Sequence, residues 1–365
     1  MTAEPSRTLL AEVDVSLVNA DRVIDRLLEH MIQHEFPVSR TEAGGTVTFM
    51  AGEALMEKRP GGVHMRASAA HDAGLAYMKS IMASHLIEFA EGDRPEIVWT
   101  GHGADATVFP NFREMTVTRA EQTTPHMRRI TLAGSDLDSF ATGGLHIKLF
   151  VPPAGLAKPE WPVPGKDGLA IWPADDKRPS VRTYTIRRID AAAGTIDVDF
   201  VLHDHHGTDH SVGSRWARQA RAGDIVGVRG PVGRPVPVAD WYILVGDETA
   251  LPAIARHLES APPNARGVAL IEVADEAERQ DIAHRTGIDV RWLYRHGAEP
   301  GTTTLLADAV RTLEMPPAGA SLHAFAGVEA EAFKAIRHHW RDVLNLDKKD
   351  VVANTYWRRG RAEGA

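Results

Sequence analysis

Trp241-Tyr242-Ile243-Leu244-Val245 is an unbroken apolar run that leads through Gly246-Asp247-Glu248-Thr249 into a helical stretch from Leu251 to Leu258. A short apolar strand, then a glycine turn, then a helix reads as a strand buried on both faces of a parallel sheet. Toward the C-terminus the pattern repeats. Val268–Val273 and Val290–Tyr294 read as strands, Thr304–Leu313 as a helix and Leu322–Gly327 as a strand. Glu329–Leu344 follows as a long helix, and Val351–Tyr356 as a last strand. This alternation predicts a doubly wound α/β domain over residues 240–365. Ligands of such sheets bind beyond the carboxyl ends of the strands, where the 246–252 turn sits. The turn is no G-x-G-x-x-G fingerprint, and Asp247 and Glu248 would repel a pyrophosphate placed on them.

Upstream the character changes to short strands and many turns. Met115–Arg119, Met127–Leu132, Ile147–Val151, Arg182–Arg188, Ile196–Leu202 and Asp224–Arg229 read as the strands of an antiparallel β-barrel over 109–239. Pro152–Pro179, rich in Pro, Gly, Lys and Asp, reads as an exposed loop. Residues 1–108 form a small α+β domain of unknown role. Asn19 is the expected N-cap of a helix carrying Val23, Ile24, Leu27, Leu28 and Met31, and a second helix spans His71–Phe89. Thr46–Met50 and Val63–Ser68 alternate as strands, and Ile97-Val98-Trp99 reads as the closing strand. The five histidines of this domain (His30, His34, His64, His71, His85) are scattered in sequence and read as structural.

The 365-residue chain has no cysteine, which excludes disulfide scaffolds, thiol catalysis and cysteine-held zinc or iron–sulfur centres. No run reaches the ~20 apolar residues of a membrane span. Met1–Asp14 holds Glu4, Glu12 and Asp14 and no apolar h-region, so no signal peptide and a cytoplasmic location are expected. The net charge of −8 is uneven: residues 1–110 and 240–336 each carry −7, residues 111–239 and 337–365 each carry +3. No basic stripe suits nucleic acid, but two mildly basic segments can share an anionic ligand.

Arg182-Thr183-Tyr184-Thr185-Ile186 sits on a barrel strand, where alternation puts Arg182, Tyr184 and Ile186 on one face and both threonines on the other. A cation, a planar ring and a hydroxyl in that spacing suit a flavin nucleotide or, more plainly, an ordinary strand. Gly213-Ser214-Arg215-Trp216 opens a helix, where free N–H groups can meet a pyrophosphate. His203–His210 packs four imidazoles and two carboxylates into eight residues; a metal role there is disfavoured because a glycine-containing hairpin tip offers no rigid support.

The order of these motifs resembles the siderophore-interacting protein family, FAD-dependent ferric-siderophore reductases distantly related to ferredoxin–NADP reductase. It rests on Arg-x-Tyr-Thr at 182–185, Val201-Leu202-His203, Gly213 to Ala217, Gly246 to Pro252 and Tyr356-Trp357-Arg358-Arg359-Gly360. The resemblance covers about 112–361; residues 9–102 are similar to an uncharacterised small domain fused to some members. It implies FAD on Arg182, Tyr184, Thr185 and Ile186 with His203 beside it, and pyrophosphate on Gly213, Ser214, Arg215 and Trp216. Thr249 and Ala250 would approach the flavin from the α/β side, and Lys148 and Arg358 would attract the anionic ferric siderophore. No protein side chain is expected to act as acid, base or nucleophile, because the chemistry belongs to FAD with NAD(P)H as donor. Glu272 and Asp275 favour NADH, Arg256, Arg279 or Arg291 would suit NADPH, and ferredoxin is an alternative donor. The alternatives are a flavin diaphorase with a protein acceptor and a siderophore-binding carrier without redox chemistry.

Overall fold

The computed structural model describes residues 8–156, 158–202 and 211–361. The chain divides into two compact units, residues 1–112 with 160–178, and residues 113–159 with 179–365.

In the first unit the order is β1 (Leu9–Ser16), α1 (Ala20–Gln33), β2 (Val38–Thr41), β3 (Gly44–Phe49), β4 (Gly52–Arg59), β5 (Gly62–Ala69), α2 (Asp72–Phe89) and β6 (Thr100–Gly101). The strands form one antiparallel sheet in the order β2-β3-β4-β5-β1-β6. Alternation explains its single buried face: Ala11, Val13 and Val15 of β1 and Val63, Met65 and Ala67 of β5 point inward. They meet the apolar stripes of α1 (Ile24, Leu27, Leu28) and α2 (Leu75, Met78, Leu86) in one core. β1 is absent from the sequence reading because charged Glu12 and Asp14 interrupt its apolar positions.

Three details differ from expectation. Asn19 precedes α1 in the left-handed region (φ 57°) and its side chain caps nothing. The cap that does form is on α2, where His71 Nδ1 accepts from Gly74 N at 3.0 Å. Ile97-Val98-Trp99 is not a strand; pairing with β1 is confined to Thr100 and Gly101. Instead the buried Trp99 donates its backbone N–H to Lys166 O (3.1 Å) and its indole N–H to Asp167 O (2.9 Å). Those acceptors belong to the supposed exposed loop. It holds a short hairpin, β10 (Val163–Pro164) with β11 (Ala170–Ile171), and Leu169 packs on the first unit's core. A buried tryptophan needs both partners satisfied, and this segment supplies them.

The second unit begins with β7 (Phe112–Thr124, whose first residue lies in the first unit), β8 (Met127–Ala133), α3 (Asp138–Thr142) and β9 (His146–Val151). β12 (Ser180–Asp190), β13 (Thr195–Val201), α4 (Val212–Gln219) and β14 (Ile225–Val232) follow. The six strands close a barrel in the order β12-β13-β8-β7-β14-β9, filled by fully buried side chains such as Ile130, Ile147, Ile186 and Phe200. The rest is β15 (Trp241–Gly246), α5 (Leu251–Ser260), β16 (Arg266–Val273), β17 (Gly287–Tyr294), α6 (Leu305–Arg311), β18 (Leu322–Glu329), α7 (Ala330–His338) and β19 (Val351–Trp357). The long helix expected over 329–344 changes to a π-helical turn at His339–Val343.

The five strands are all parallel, ordered β17-β16-β15-β18-β19. Chain order reverses between β15 and β18, and this switch point is where a doubly wound sheet offers a crevice. Barrel and sheet share one core, in which Met127 and Leu145 of the barrel pack with Tyr242 and Phe325. Arg187 of β12 forks onto Glu259 of α5 (2.8 and 3.1 Å), and Arg256 donates to Ile186 O at 2.8 Å. Among the described residues no helix is long and apolar enough to cross a membrane.

Candidate functional site

The barrel side of the site is β12 laid against β9, with Thr183 opposite Lys148 and Thr185 opposite His146. Tyr184 tilts over Phe200 with ring centres 4.3 Å apart and stays half-buried; Phe200 in turn contacts Trp216 of α4 at 5.4 Å. Beneath the Tyr184 hydroxyl lies Gly213, where an added Cβ would sit 1.8 Å from that oxygen. Glycine is required there to admit the phenol. Ser211 accepts from Ser214 N at 3.3 Å and so caps α4.

These contacts revise several expectations. Ile186 has no exposed surface, and its N–H and C=O are taken by Leu145 O and Arg256, so it offers nothing to a cofactor. Of the four residues expected to hold pyrophosphate, Gly213 and Ser214 are buried and Trp216 packs toward the barrel core, leaving Arg215 as the exposed one. Thr185 is buried and its hydroxyl bonds to Tyr356. Arg182 is half-buried beside it, with Nη1 on Val181 O at 2.7 Å. His203 and the His-rich loop lie outside the described residues.

The sheet side is the switch point. Gly246 ends β15 and pairs with Gly327 of β18, and a Cβ at either would collide with the Ala250 methyl, at 2.6 and 2.9 Å. Ala250 is therefore a buried wedge closing this turn, with no surface for a flavin. Thr249 is half-buried and donates both N–H (2.9 Å) and hydroxyl (2.5 Å) to Asp247 Oδ1; the Trp357 indole donates to Oδ2 at 2.7 Å. Burial, with Glu248 adding to it, pushes the Asp247 carboxyl up to about 6.

The acidic turn does not present free charge, as the sequence suggested. Glu248 is buried in an ion pair with both terminal nitrogens of Arg295, which also reaches Glu272 at 3.5 Å. Glu272 additionally accepts from Thr303 at 2.9 Å, and burial raises its pKa. Glu272 is buried and engaged by Arg295 and Thr303, which weakens the argument for NADH from it. Arg256 is half-buried and spends one of its five N–H groups on Ile186 O.

Between the two sides lies a cavity of about 170 Å³. His126, Val201 and Leu202 line it from the barrel; Thr249, Arg295 and Trp357 line it from the sheet. Sequence reasoning missed Arg295 and His126, which lie in no motif, and left Trp357 without a role although it stands in the quoted Tyr-Trp-Arg-Arg-Gly. The His126 wall is fixed by buried Glu278, which accepts from Thr124 Oγ1 (2.5 Å) and His126 N (2.9 Å).

The strands that carry the two basic residues touch at one hydrogen bond. His146 Nε2 lies 2.7 Å from Tyr356 Oη; Lys148 is two residues along β9 from the first, and Arg358 two residues past the second. Lys148 is exposed and donates to Thr183 Oγ1 at 2.7 Å, and Arg358 is exposed close to Glu331. Burial, reinforced by Lys148, lowers His146 to about 4, so it is neutral at pH 7. Burial and Asp247 push the Tyr356 phenol upward.

Comparison with known proteins matches residues 116–235 to the siderophore-interacting FAD-binding domain and 239–360 to the siderophore-interacting protein model. Residues 12–100 match an uncharacterized protein conserved in bacteria (DUF2218). The ferric vibriobactin reductase ViuB of Vibrio cholerae is 35% identical over 265 residues, 71% of this chain and 93% of that protein. The NADPH-dependent ferric-chelate reductase of Escherichia coli is 36% identical over 190 residues, 50% of this chain and 71% of that one. A siderophore utilization protein from T. fusca superposes with a TM-score of 0.58 at 36% identity, covering 70% of this chain and 96% of its own. On this combination of barrel, parallel sheet and matched sequence, the chain belongs to the siderophore-interacting protein family, carrying in addition the N-terminal DUF2218 domain.

Proposed function

We propose that this chain uses FAD and NAD(P)H to reduce ferric siderophores and release Fe(II). The observation that supports the reading is the Arg182, Tyr184 and Arg215 donor set on the barrel, with a cavity in the same unit walled by Val201 and Leu202 of the barrel and Thr249 of the switch-point turn. The donor set fits a flavin nucleotide: Arg182 and exposed Arg215 for the pyrophosphate, Tyr184 for the ring, with Gly213 giving that ring its room. FAD, when bound, supplies the link between a two-electron hydride donor and a one-electron metal acceptor. The protein's part is to hold the cofactor, order the Thr249–Asp247–Trp357 wall and keep Glu248 neutralised by Arg295. One NAD(P)H thereby reduces two Fe(III), giving NAD(P)⁺, one proton and two Fe(II). Fe(II) binds hard anionic oxygen donors more weakly than Fe(III), so reduction frees the metal.

Lys148 and Arg358 form the approach for the anionic complex, raising its local concentration by their field. The test is a visible spectrum of the purified protein under anaerobic conditions, with NADH, NADPH and then a ferric siderophore added. Flavin absorbance that bleaches with a nicotinamide and recovers with the iron complex, Fe(II) being trapped by a chelator, is the expected result. Flavin that only ferredoxin reduces would replace the donor, and a colourless protein that FAD cannot load would leave the carrier reading. Lys148→Glu/Arg358→Glu should lower apparent affinity for an anionic ferric chelate while FAD stays bound; equal affinity would remove both residues from the site.

A further inference from the structure

The cavity touches the carboxyl ends of four of the five parallel strands. Thr249 follows β15, Ala274 follows β16, Arg295 follows β17, and Trp357 ends β19. A nucleotide held by such a sheet lies beyond those ends, which makes this the side on which NAD(P)H enters. The barrel meets it with Val201 and Leu202 and with His126, whose imidazole stands in the turn between β7 and β8.

We propose that Glu278 is a positioning residue for hydride transfer: it locks His126 over the sheet's loops and so sets where NAD(P)H lies, a role that rests on the reductase reading above. Glu278 belongs to the sheet side, in the short 3-10 turn after β16, and is 3% exposed. Its carboxylate accepts from Thr124 Oγ1 (2.5 Å), His126 N (2.9 Å) and His126 Nδ1 (2.7 Å), all on the barrel side. A carboxylate only accepts, so Nδ1 carries a ring proton and the orientation of the imidazole is fixed. Both ends of this clamp are held. Asp275 accepts from Ala277 N at 2.9 Å and shapes the turn of Glu278. On the barrel side Gln122 donates to Thr124 O (2.8 Å) and Pro125 O (3.0 Å), and Leu202 N donates to His126 O (2.8 Å).

Docking of barrel on sheet does not by itself call for this arrangement. The two already share an apolar core around Met127, Leu145, Tyr242 and Phe325, and Arg187 joins Glu259 elsewhere on their contact. A buried carboxylate costs desolvation, and an apolar contact would join the surfaces as well. Three bonds to one carboxylate instead fix three donors in direction. That matters for a hydride, because a misplacement of about 1 Å can lower a transfer rate by up to about 100-fold. The ferric complex is drawn by Lys148 and Arg358, neither of which lines the cavity. Loosening the clamp should therefore harm the nicotinamide half of the reaction and spare the iron half.

The test is anaerobic stopped-flow absorbance of the FAD-loaded full chain, taken in two halves. Bleaching of the flavin by NADPH or NADH reads the hydride half, and reoxidation of photochemically reduced flavin by ferric citrate reads the iron half. Glu278→Ala should slow bleaching about tenfold and raise the calorimetric dissociation constant of the oxidised nucleotide by a similar factor, with FAD content and the iron half unchanged. Glu278→Gln still accepts from His126 through its amide oxygen and can donate to Thr124, so it should stay within about twofold of the parent. Equal bleaching in Glu278→Ala, a parallel fall in the iron half, or Glu278→Gln as slow as Glu278→Ala would each overturn the proposal. If Glu278→Ala does not fold, His126→Ala at a partly exposed position takes its place and should show the same one-sided loss; equal bleaching there overturns the proposal too. Parent flavin that no nicotinamide bleaches would remove the donor from the reductase reading and this role with it, whereas a parent that bleaches no faster than Glu278→Ala removes this role alone.

Discussion

Gly213→Ala puts two effects of known sign against each other. In a helix the substitution is ordinarily favourable by up to about 1 kcal/mol, because alanine loses less backbone entropy than glycine. Here the new methyl would lie 1.8 Å from Tyr184 Oη and 3.0 Å from Cζ. Ordinary contact begins near 3.4 Å, so the hydroxyl must retreat by about 1.6 Å. The ring cannot slide freely, since its centre lies 4.3 Å from that of fully buried Phe200. Overpacking of this kind costs about 1–3 kcal/mol, which outweighs the propensity gain. Gly213→Ala should therefore lower stability by about 1–2 kcal/mol in urea melts and weaken FAD binding, read from quenching of flavin fluorescence. Tyr184→Phe/Gly213→Ala removes the colliding oxygen and should recover at least half of that stability. The reasoning fails if Gly213→Ala is stabilising, or if the double variant is simply the sum of the two singles.

Three further outcomes follow from the sheet side. Arg295→Met leaves Glu248 and Glu272 buried without their cation and should cost about 3–5 kcal/mol at pH 7, less in acid, where Glu272 protonates readily; urea melts at the two pH values check both parts. Asp247 titrates near 6 when folded against 3.8 as its ordinary value, so the folded state binds the extra proton and stability from this group falls as pH rises from about 4 to 6. Asp247→Asn should abolish that share of the slope, seen as a flatter stability profile than the parent over the same window. Tyr356→Phe strips the partner from His146 Nε2 and Thr185 and should cost about 1–3 kcal/mol, with the His146 imidazole shifting in NMR titrations.

The strand–turn–helix at 241–258 was legible because a strand buried on both faces must be apolar throughout, and composition alone reports that. The barrel was legible for a different reason, as its closed interior buries one face of each strand and so leaves a period-two pattern. The hairpin within 160–178 was not. Its attachment is two backbone carbonyls meeting Trp99, and carbonyls carry no residue identity. β1 was hidden because its charged outer residues cancel its apolar inner ones in any local average.

The same physics explains which site residues misled. A motif records that residues occur together, not which way each faces. In Arg182 to Ile186, alternation correctly grouped Tyr184 with Ile186, yet the grouping itself means that the second lies in the core once the first packs on Phe200. Ala250 stands in the quoted motif, and its methyl fills the room that Gly246 and Gly327 leave, a packing role that the motif cannot distinguish from a ligand contact. The acidic turn is the sharper case. Asp247 and Glu248 look hostile to an anionic cofactor until Arg295, 47 residues downstream of Glu248, is brought beside them by β17. Buried charge is set by partners that the fold assembles, so the sign of a local sequence charge is a poor guide to the field a ligand meets there.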